Sequence, residues 1–374
     1  MKANENKPKM GWFLKLLMWI NIFDALLLLG AYLGTHISPN SMGYLYFLGL
    51  GYPILLIIAL LFMFFWLFKR REIALISAIT LLLGFNHLRH FYSVTLWQTE
   101  LSDPFKVMSF NVHVFDLYNL EGRESIRDDI IDFLVEEDND VICFQEFYHQ
   151  KGQTNFPTKS LISEALGISD IHERYTHELS NNRYFGVTTF SKFPIIDKGE
   201  IPFDNDPNNF CIYTDVLKGE DTIRVFNAHI GSIRLQSDDY EFFGDENGPT
   251  RYIQEQDAGQ RILGRLKNAF EKRAVQANEV ARFIEDSKHP VVLCSDMNDT
   301  PVSYCYRQFS RLLYDSFVES GNGIGQTYIG KVPSNRIDYI FYDVHFESAN
   351  FTTHQVNLSD HKPVSVELEL IKDL

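Results

Sequence analysis

Cysteine is scarce: Cys143, Cys211, Cys294 and Cys305 are the only four in 374 residues. None stands in a C-x-x-C pair or at a Cys/His spacing that would hold zinc, and two sit inside apolar, strand-like runs. A disulfide framework and a zinc module are therefore excluded, and the four are expected as buried small hydrophobes. Basic charge is also short. Thirty-four Lys and Arg face 49 Asp and Glu, a formal net charge of −15, and no Lys/Arg stripe marks a track for nucleic acid. Internal repeats and low-complexity tracts are missing. With 45% hydrophobic and 22% charged residues, wholesale disorder is excluded.

What is present is unevenly placed. Residues 1–98 hold eight basic and three acidic side chains (+5), and the remainder 26 basic and 46 acidic (−20). The first part also holds the long apolar runs. The stretch 16–33 carries Asn21 and Asp24, while 44–68 has no charge in 25 positions, enough to cross a hydrocarbon core of ~30 Å. The stretch 73–85 is short for a span unless 86–88 extends it, and its rival reading is a helix lying in the interface. A cleaved signal peptide fits poorly, because 16–33 lacks a small-residue cleavage site and a stronger span follows. Residues 1–98 are thus expected to be a membrane anchor of two to three helices, about 14–34, 44–68 and 72–90, and 99–374 a soluble domain. Lys2, Lys7, Lys9 and Lys15 precede the first span and Lys69, Arg70 and Arg71 follow the second, so both flanks are cytoplasmic by the positive-inside rule. If the third stretch spans, the soluble domain lies outside the cytoplasm, which is the expected localisation of this multi-pass protein of the cell membrane.

From about residue 103 short apolar runs alternate with turns. Strands are expected over 105–112, 141–144, 184–190, 210–217, 223–229, 291–294, 336–342 and 364–370. A helix is expected over 123–137, from its stripe of Ile126, Ile130, Ile131 and Leu134, and a long one over about 260–286. Many strands with few helices imply two packed sheets with helices outside, an α/β sandwich. Several runs end on polar side chains that cap nothing nearby, namely Asn111, Gln145 and Glu146, His229, Asp296 and Asn298, Asp338, and Asp360 and His361. Strand ends sharing one edge of a sandwich would gather them in one cleft.

At these residues the sequence resembles the endonuclease/exonuclease/phosphatase superfamily, in particular membrane-anchored bacterial-type members. The resemblance covers about residues 104–374 and rests on SFNV around Asn111, QE at Gln145 and Glu146, FNAHI around His229, SDMN at Asp296 and Asn298, RIDYI around Asp338 and SDHKPV around His361. One departure is Ser295, where the family commonly has glycine; carboxylate and amide are retained. The resemblance implies a four-layered αββα (DNase-I-like) sandwich after the membrane helices, dependence on Mg²⁺ with Mn²⁺ as a substitute, and hydrolysis of a phosphoester by activated water. A lone carboxylate at a strand end makes Glu146 a hard oxygen ligand of the kind Mg²⁺ takes one or two of, and by resemblance Asn111 and Asp360 complete or border the metal site. Asp296 and Asn298, two apart, face one side in extended geometry. The carboxylate is a base for the water, and the amide a donor to phosphoryl oxygens. By resemblance His229 and His361 flank the phosphate, with Asp338 orienting His361 and raising its pKa. Either Asp296 or the His361–Asp338 pair takes the proton of the water.

The substrate is open at this stage. The domain charge of −20 repels polyanions at long range, although a bound metal reverses the field locally. A membrane-tethered hydrolase of lipid or small phosphoesters comes first, an extracytoplasmic nuclease on DNA or RNA second, and a non-catalytic binding protein on the same fold third. No protein partner is inferred. The acidic segment 231–259, with Asp238, Asp239, Glu241, Asp245, Glu246 and the aromatics Tyr240, Phe242, Phe243 and Tyr252, is expected at the cleft mouth. Lys267, Lys272, Arg273 and Arg282, mixed with Glu271, Glu279 and Glu285, read as a solvated helix face.

Overall fold

The computed structural model describes residues 10–42, 44–117, 123–152, 156–179, 182–233, 255–330 and 336–372. The acidic and aromatic residues named above within 238–252 lie outside them.

Two N-terminal helices, Trp12–Gly34 and Tyr52–Lys69, are long and apolar enough to cross a membrane by length and composition. The short helix Tyr46–Leu50 precedes the second, and Arg71–Leu83 follows it, continuing after Gly84 as Phe85–Arg89. Tyr32, near the end of the first helix, lies against Tyr52 at the start of the second and stacks on His87, with ring centroids 6.1 and 5.0 Å away. Ser77 Oγ donates to Asn21 Oδ1 at 2.6 Å. The first and third helices therefore run side by side in one direction, and the second runs back. Their seam is lined with small and polar residues, among them Asn21, Asp24, Ala25, Ala31, Ala59, Ala74 and Ser77, while Leu26, Leu61, Phe64 and Leu82 face outward. Asp24 thus sits at a helix contact.

The remainder is built on two six-stranded mixed sheets. One contains, in spatial order, β10 (Tyr314–Asp315), β12 (Asp338–Tyr342), β9 (Val291–Asp296), β8 (Asp221–His229), β7 (Phe210–Lys218) and β6 (Ile195–Pro202). The other contains β13 (Phe346–Thr353), β14 (Val364–Leu370), β2 (Phe105–Asn111), β3 (Val141–Gln150), β5 (Arg183–Ser191) and β4 (Asp170–Leu179). Their inner faces meet through Val107, Val141 and Val366 from one sheet and Val225, Val292 and Ile340 from the other. Helix Glu255–Glu285 covers the outer face of the first sheet through Ala277, Val280 and Ile284, and helix Arg123–Glu137 covers the second through Ile130 and Leu134. The central strands are buried on both faces, which is why they read as unbroken apolar runs. The four cysteines are free and buried, as expected.

A ribbon of β1 (Tyr92–Ser93) paired with β11 (Gly323–Ile324) joins the helical region to the sandwich. Val302, from the loop after β9, packs in one cluster with Leu28, Ala31, Tyr52 and Ala59 of the helices. A Cβ at Gly49 would lie 2.1 Å from the Val302 carbonyl oxygen, so that approach requires glycine.

Candidate active site

Pairing direction gathers the polar strand ends. β2 runs parallel to β3 and β8 parallel to β9, with Asn111 level with Gln145 and His229 level with Asp296. These strands deliver their carboxyl ends to one rim. β12 runs antiparallel to β9 and starts there, Asp338 opposite Asp296. β14 is antiparallel to β2, Val364 opposite Ser109, which brings His361 to the same place.

The second run does not stop at Gln145 and Glu146. β3 continues to Gln150 through an irregularity between Phe144 and Phe147, and Glu146 takes a left-handed φ of 51°. A bulge re-aims a side chain, and this one turns the carboxylate outward to the rim. Gln145 points between the sheets, where its Nε2 donates to Asn227 Oδ1 at 2.9 Å. Asn227 Nδ2 in turn donates to the carbonyls of Phe144 and Thr188, both at 3.2 Å. These amides tie the sheets together directly beneath the rim.

Asp296 is fully buried and stands at the centre. Its Oδ2 accepts from Asn111 Nδ2 at 2.8 Å and its Oδ1 from the Asn298 amide at 2.9 Å. Asn298 has φ 50°, and its Nδ2 donates to the Ile230 carbonyl at 3.0 Å. His229 Nε2 lies 3.7 Å from both Glu146 Oε1 and Asp296 Oδ2. That nitrogen is buried with no hydrogen-bond partner, the two carboxylates being within ion-pair range but beyond hydrogen-bond distance. On the far side both oxygens of Asp338 reach His361 Nδ1 at 3.0 Å. Asp360 stands further out, its Oδ1 3.7 Å from His113 Nδ1. Seven of the eight expected site residues thus form one connected set, with Asp360 at its edge.

Burial raises the Asp296 carboxyl above its ordinary pKa, with Asp338 adding to it against the opposing pull of His361 and His229. For His361, burial acts downward, but Asp338 and Asp296 overcome it and raise the imidazole to about 10. A folded-state pKa above the unfolded one contributes stability that is complete below about 6.5 and is lost as pH rises through the folded value. The thermal midpoint is expected to fall across that alkaline window. In Asp338→Asn the fall should begin at the same pH but be smaller and end at lower pH; a midpoint-against-pH series on both proteins checks this, and identical profiles would show that Asp338 does not hold the proton.

Asp296, Asp338 and His361 also offer three donor atoms within 4.8 Å of one another, a spacing that fits a metal ion. Two features fit such an ion less well there than beside Glu146. Asp338 already spends both oxygens on His361, whereas Glu146 is partly exposed and presents hard oxygen donors next to the unpartnered His229 nitrogen. A surface depression lined by Asp103, Lys218, Asp221, His345 and Lys372 lies at the opposite end of the sheets and gathers no comparable set.

Two supports escaped the sequence reading. Arg273 is not on a solvated face: it is 1% exposed and forms an ion pair with buried Asp299 at 3.2 Å. Its spacing from Phe270, Ala274 and Ala277, all buried, was the available signal. Thr327 Oγ1 accepts from the amides of Ile337 and Asp338 at 3.0 and 3.1 Å and so fixes the start of β12; a single threonine in a glycine-rich stretch gives no signal.

Two packed mixed sheets with a buried Asp/His cluster at their shared rim are a fold of the phosphoesterase type. The chain belongs to the endonuclease/exonuclease/phosphatase family, whose sequence profile matches residues 108–361. That family typically uses a divalent metal. The profile of a domain of unknown function (DUF8431) matches residues 14–91. Similar solved structures include an endonuclease/exonuclease/phosphatase from Beutenbergia cavernae, 18% identical, TM-score 0.52, with 72% of each chain covered. One from Bacteroides vulgatus is 15% identical, TM-score 0.52, covering 72% of this chain and 100% of that one. The human Nocturnin catalytic domain with bound sulfate is 14% identical, TM-score 0.50, covering 73% and 97%. At these identities the likeness is one of fold. A search of the curated proteins found no match.

Proposed function

We propose that the protein is a membrane-anchored, bacterial-type, divalent-metal-dependent phosphoester hydrolase, with residues 1–98 as the anchor and 99–374 as the catalytic domain. The observation that carries the reading is the unpartnered His229 nitrogen between Glu146 and Asp296. Glu146, with Asn111 and Asp360 bordering it, would hold the metal, Mg²⁺ or Mn²⁺. When bound it offsets charge on the phosphate and the leaving oxygen. Asp296, raised by burial and held still by two hydrogen bonds, takes the proton of the attacking water. His361, gripped by Asp338 and kept protonated, donates to the phosphate rather than accepting. His229 and Asn298 stabilise the negative, crowded transition state.

Membrane anchoring is supported by the helical region itself: polar residues line its seam and large apolar residues its outside, the reverse of a water-facing bundle. Arg71–Leu83 runs alongside the first helix, which favours a third pass over an interfacial helix and a domain outside the cytoplasm. The anchor and the acidic balance favour lipid or small phosphoesters over nucleic acid.

The full-length protein in nanodiscs, given a chromogenic aryl phosphodiester and separately supercoiled plasmid with Mg²⁺ or Mn²⁺, tests the reading. Hydrolysis abolished by EDTA, restored by metal and absent in Glu146→Gln is the expected result. Activity that survives EDTA would overturn the metal assignment. Efficient plasmid nicking, weakening steeply with salt, would make the protein a nuclease.

A further inference from the structure

The segment 92–97 has the polarity of a β-strand turned inside out. Ser93 is buried and its hydroxyl donates to the Val318 carbonyl at 3.2 Å, while Thr95 Oγ1 donates to the Gly321 carbonyl at 2.8 Å. The alternate residues point to the outside and are large and apolar: Tyr92 is 51%, Val94 58% and Leu96 72% exposed. Trp97, in the bend at 96–97, breaks the alternation and is 83% exposed. Ile324, directly opposite Tyr92 in the ribbon, is 73% exposed, and paired residues project from the same face. Neither 91–99 nor 321–330 contains a charged residue. A face like this in water is uncommon and marks a contact surface.

Its position says what it contacts. The segment begins three residues after helix Phe85–Arg89 ends, at the end of the helical region where Tyr32, Tyr52 and His87 meet. Exposed Tyr44 and Met42, between the first two long helices, belong to that same end. Trp and Tyr favour the layer where lipid headgroups meet acyl chains. The other side of the ribbon leads into the active site. Four residues beyond Ile324, a span of at most about 14 Å, Tyr328 pairs with His361 as an isolated bridge, and Thr327 holds the amide of Asp338.

We propose that Tyr92, Val94, Leu96, Trp97 and Ile324 form an interfacial lipid-contact surface, seated in the headgroup–acyl boundary, that holds the catalytic rim at the membrane surface. This rests on the membrane-spanning reading of the helices. It makes the phosphoesters within reach those at headgroup level, on the face of the bilayer away from the N-terminal lysines.

The native cysteines are all buried, so a Leu96→Cys full-length chain presents one accessible thiol for a polarity-sensitive nitrobenzoxadiazole probe. The labelled protein is placed, one chain per disc, in nanodiscs of phosphatidylcholine with a minority of phosphatidylglycerol. Leu61→Cys, on the outward face of the second long helix, is labelled in parallel. At Leu96 the expected result is blue-shifted emission, losing most of its intensity to lipids with a nitroxide high on the acyl chain and little to aqueous iodide. Water-like emission quenched by iodide at Leu96, with lipid quenching at Leu61, overturns the contact surface and leaves the spanning helices intact. Blue-shifted emission that lipid nitroxide does not quench means that protein covers the face, and also overturns it. Water-like emission at both positions takes down the spanning reading as well.

Discussion

Asp296→Asn is expected to lower hydrolysis by about 10²–10⁴-fold, the range for loss of a positioned general base, with the fold retained. The substitution keeps volume and removes charge. An asparagine Oδ1 still accepts from the Asn298 amide, as Asp296 Oδ1 does at 2.9 Å, but its amide nitrogen then faces Asn111 Nδ2, a second donor. A modest fall in thermal midpoint therefore accompanies a large fall in kcat. If Asp296 takes the proton of the water, kcat falls, KM is little changed and the acidic limb of the pH–rate profile disappears. An undiminished kcat in Asp296→Asn would move the base to another group; a surviving acidic limb at reduced rate would make Asp296 a positioning residue.

The largest effect on stability is expected from Arg336→Met, about 3–5 kcal/mol, the cost of breaking a buried ion pair from one side. Arg336 is 2% exposed. Its guanidinium meets both oxygens of Asp315, Nη1 to Oδ1 at 3.0 Å with Nη2 on the other oxygen, and lies 4.5 Å over the rings of Phe317 and Tyr339. Tyr306 donates to the same carboxylate at 2.7 Å. Methionine fills much of the space but leaves Asp315 charged and unneutralised in the interior. The double variant Asp315→Asn/Arg336→Met should recover part of the loss, because no bare charge remains. Chemical unfolding of the three proteins in nanodiscs reads this out, and a double variant no better than the single would show that packing, not charge, dominates. Ile337 and Asp338 follow Arg336 directly, so catalysis should weaken in the single variant too.

Legibility in the sequence followed burial. All eight interior strands of the two sheets were visible as apolar runs, within a few residues at their ends except for β3, which continues past its expected end at 144 to Gln150. The four edge strands β4, β6, β10 and β13 were not. β6 reads Ile-Ile-Asp-Lys-Gly-Glu-Ile-Pro and buries only Ile201, and a strand paired on one side only needs little apolar sequence. Helix Arg123–Glu137 matched its expected bounds, and the long helix began five residues before its expected start. The candidate site residues stood out because they lie at or just beyond the ends of interior runs, Asn111, His229 and Asp296 closing theirs and Asp338 opening its own, but any role depends on the way the strands pair. The bulge at Glu146 had no signal, since its φ is imposed by the pairing on either side. Arg273 was misread because charge was weighed before periodicity.

An appendage that only tethers a domain can be exchanged for any other of equal length. The N-terminal helices are not of that kind. Val302, four residues past Asn298, stands among Leu28, Ala31 and Tyr52, and the Gly49 backbone closes over it. Helices of another sequence would leave Val302 without these neighbours, so the two halves of this chain fit each other by shape as well as by linkage.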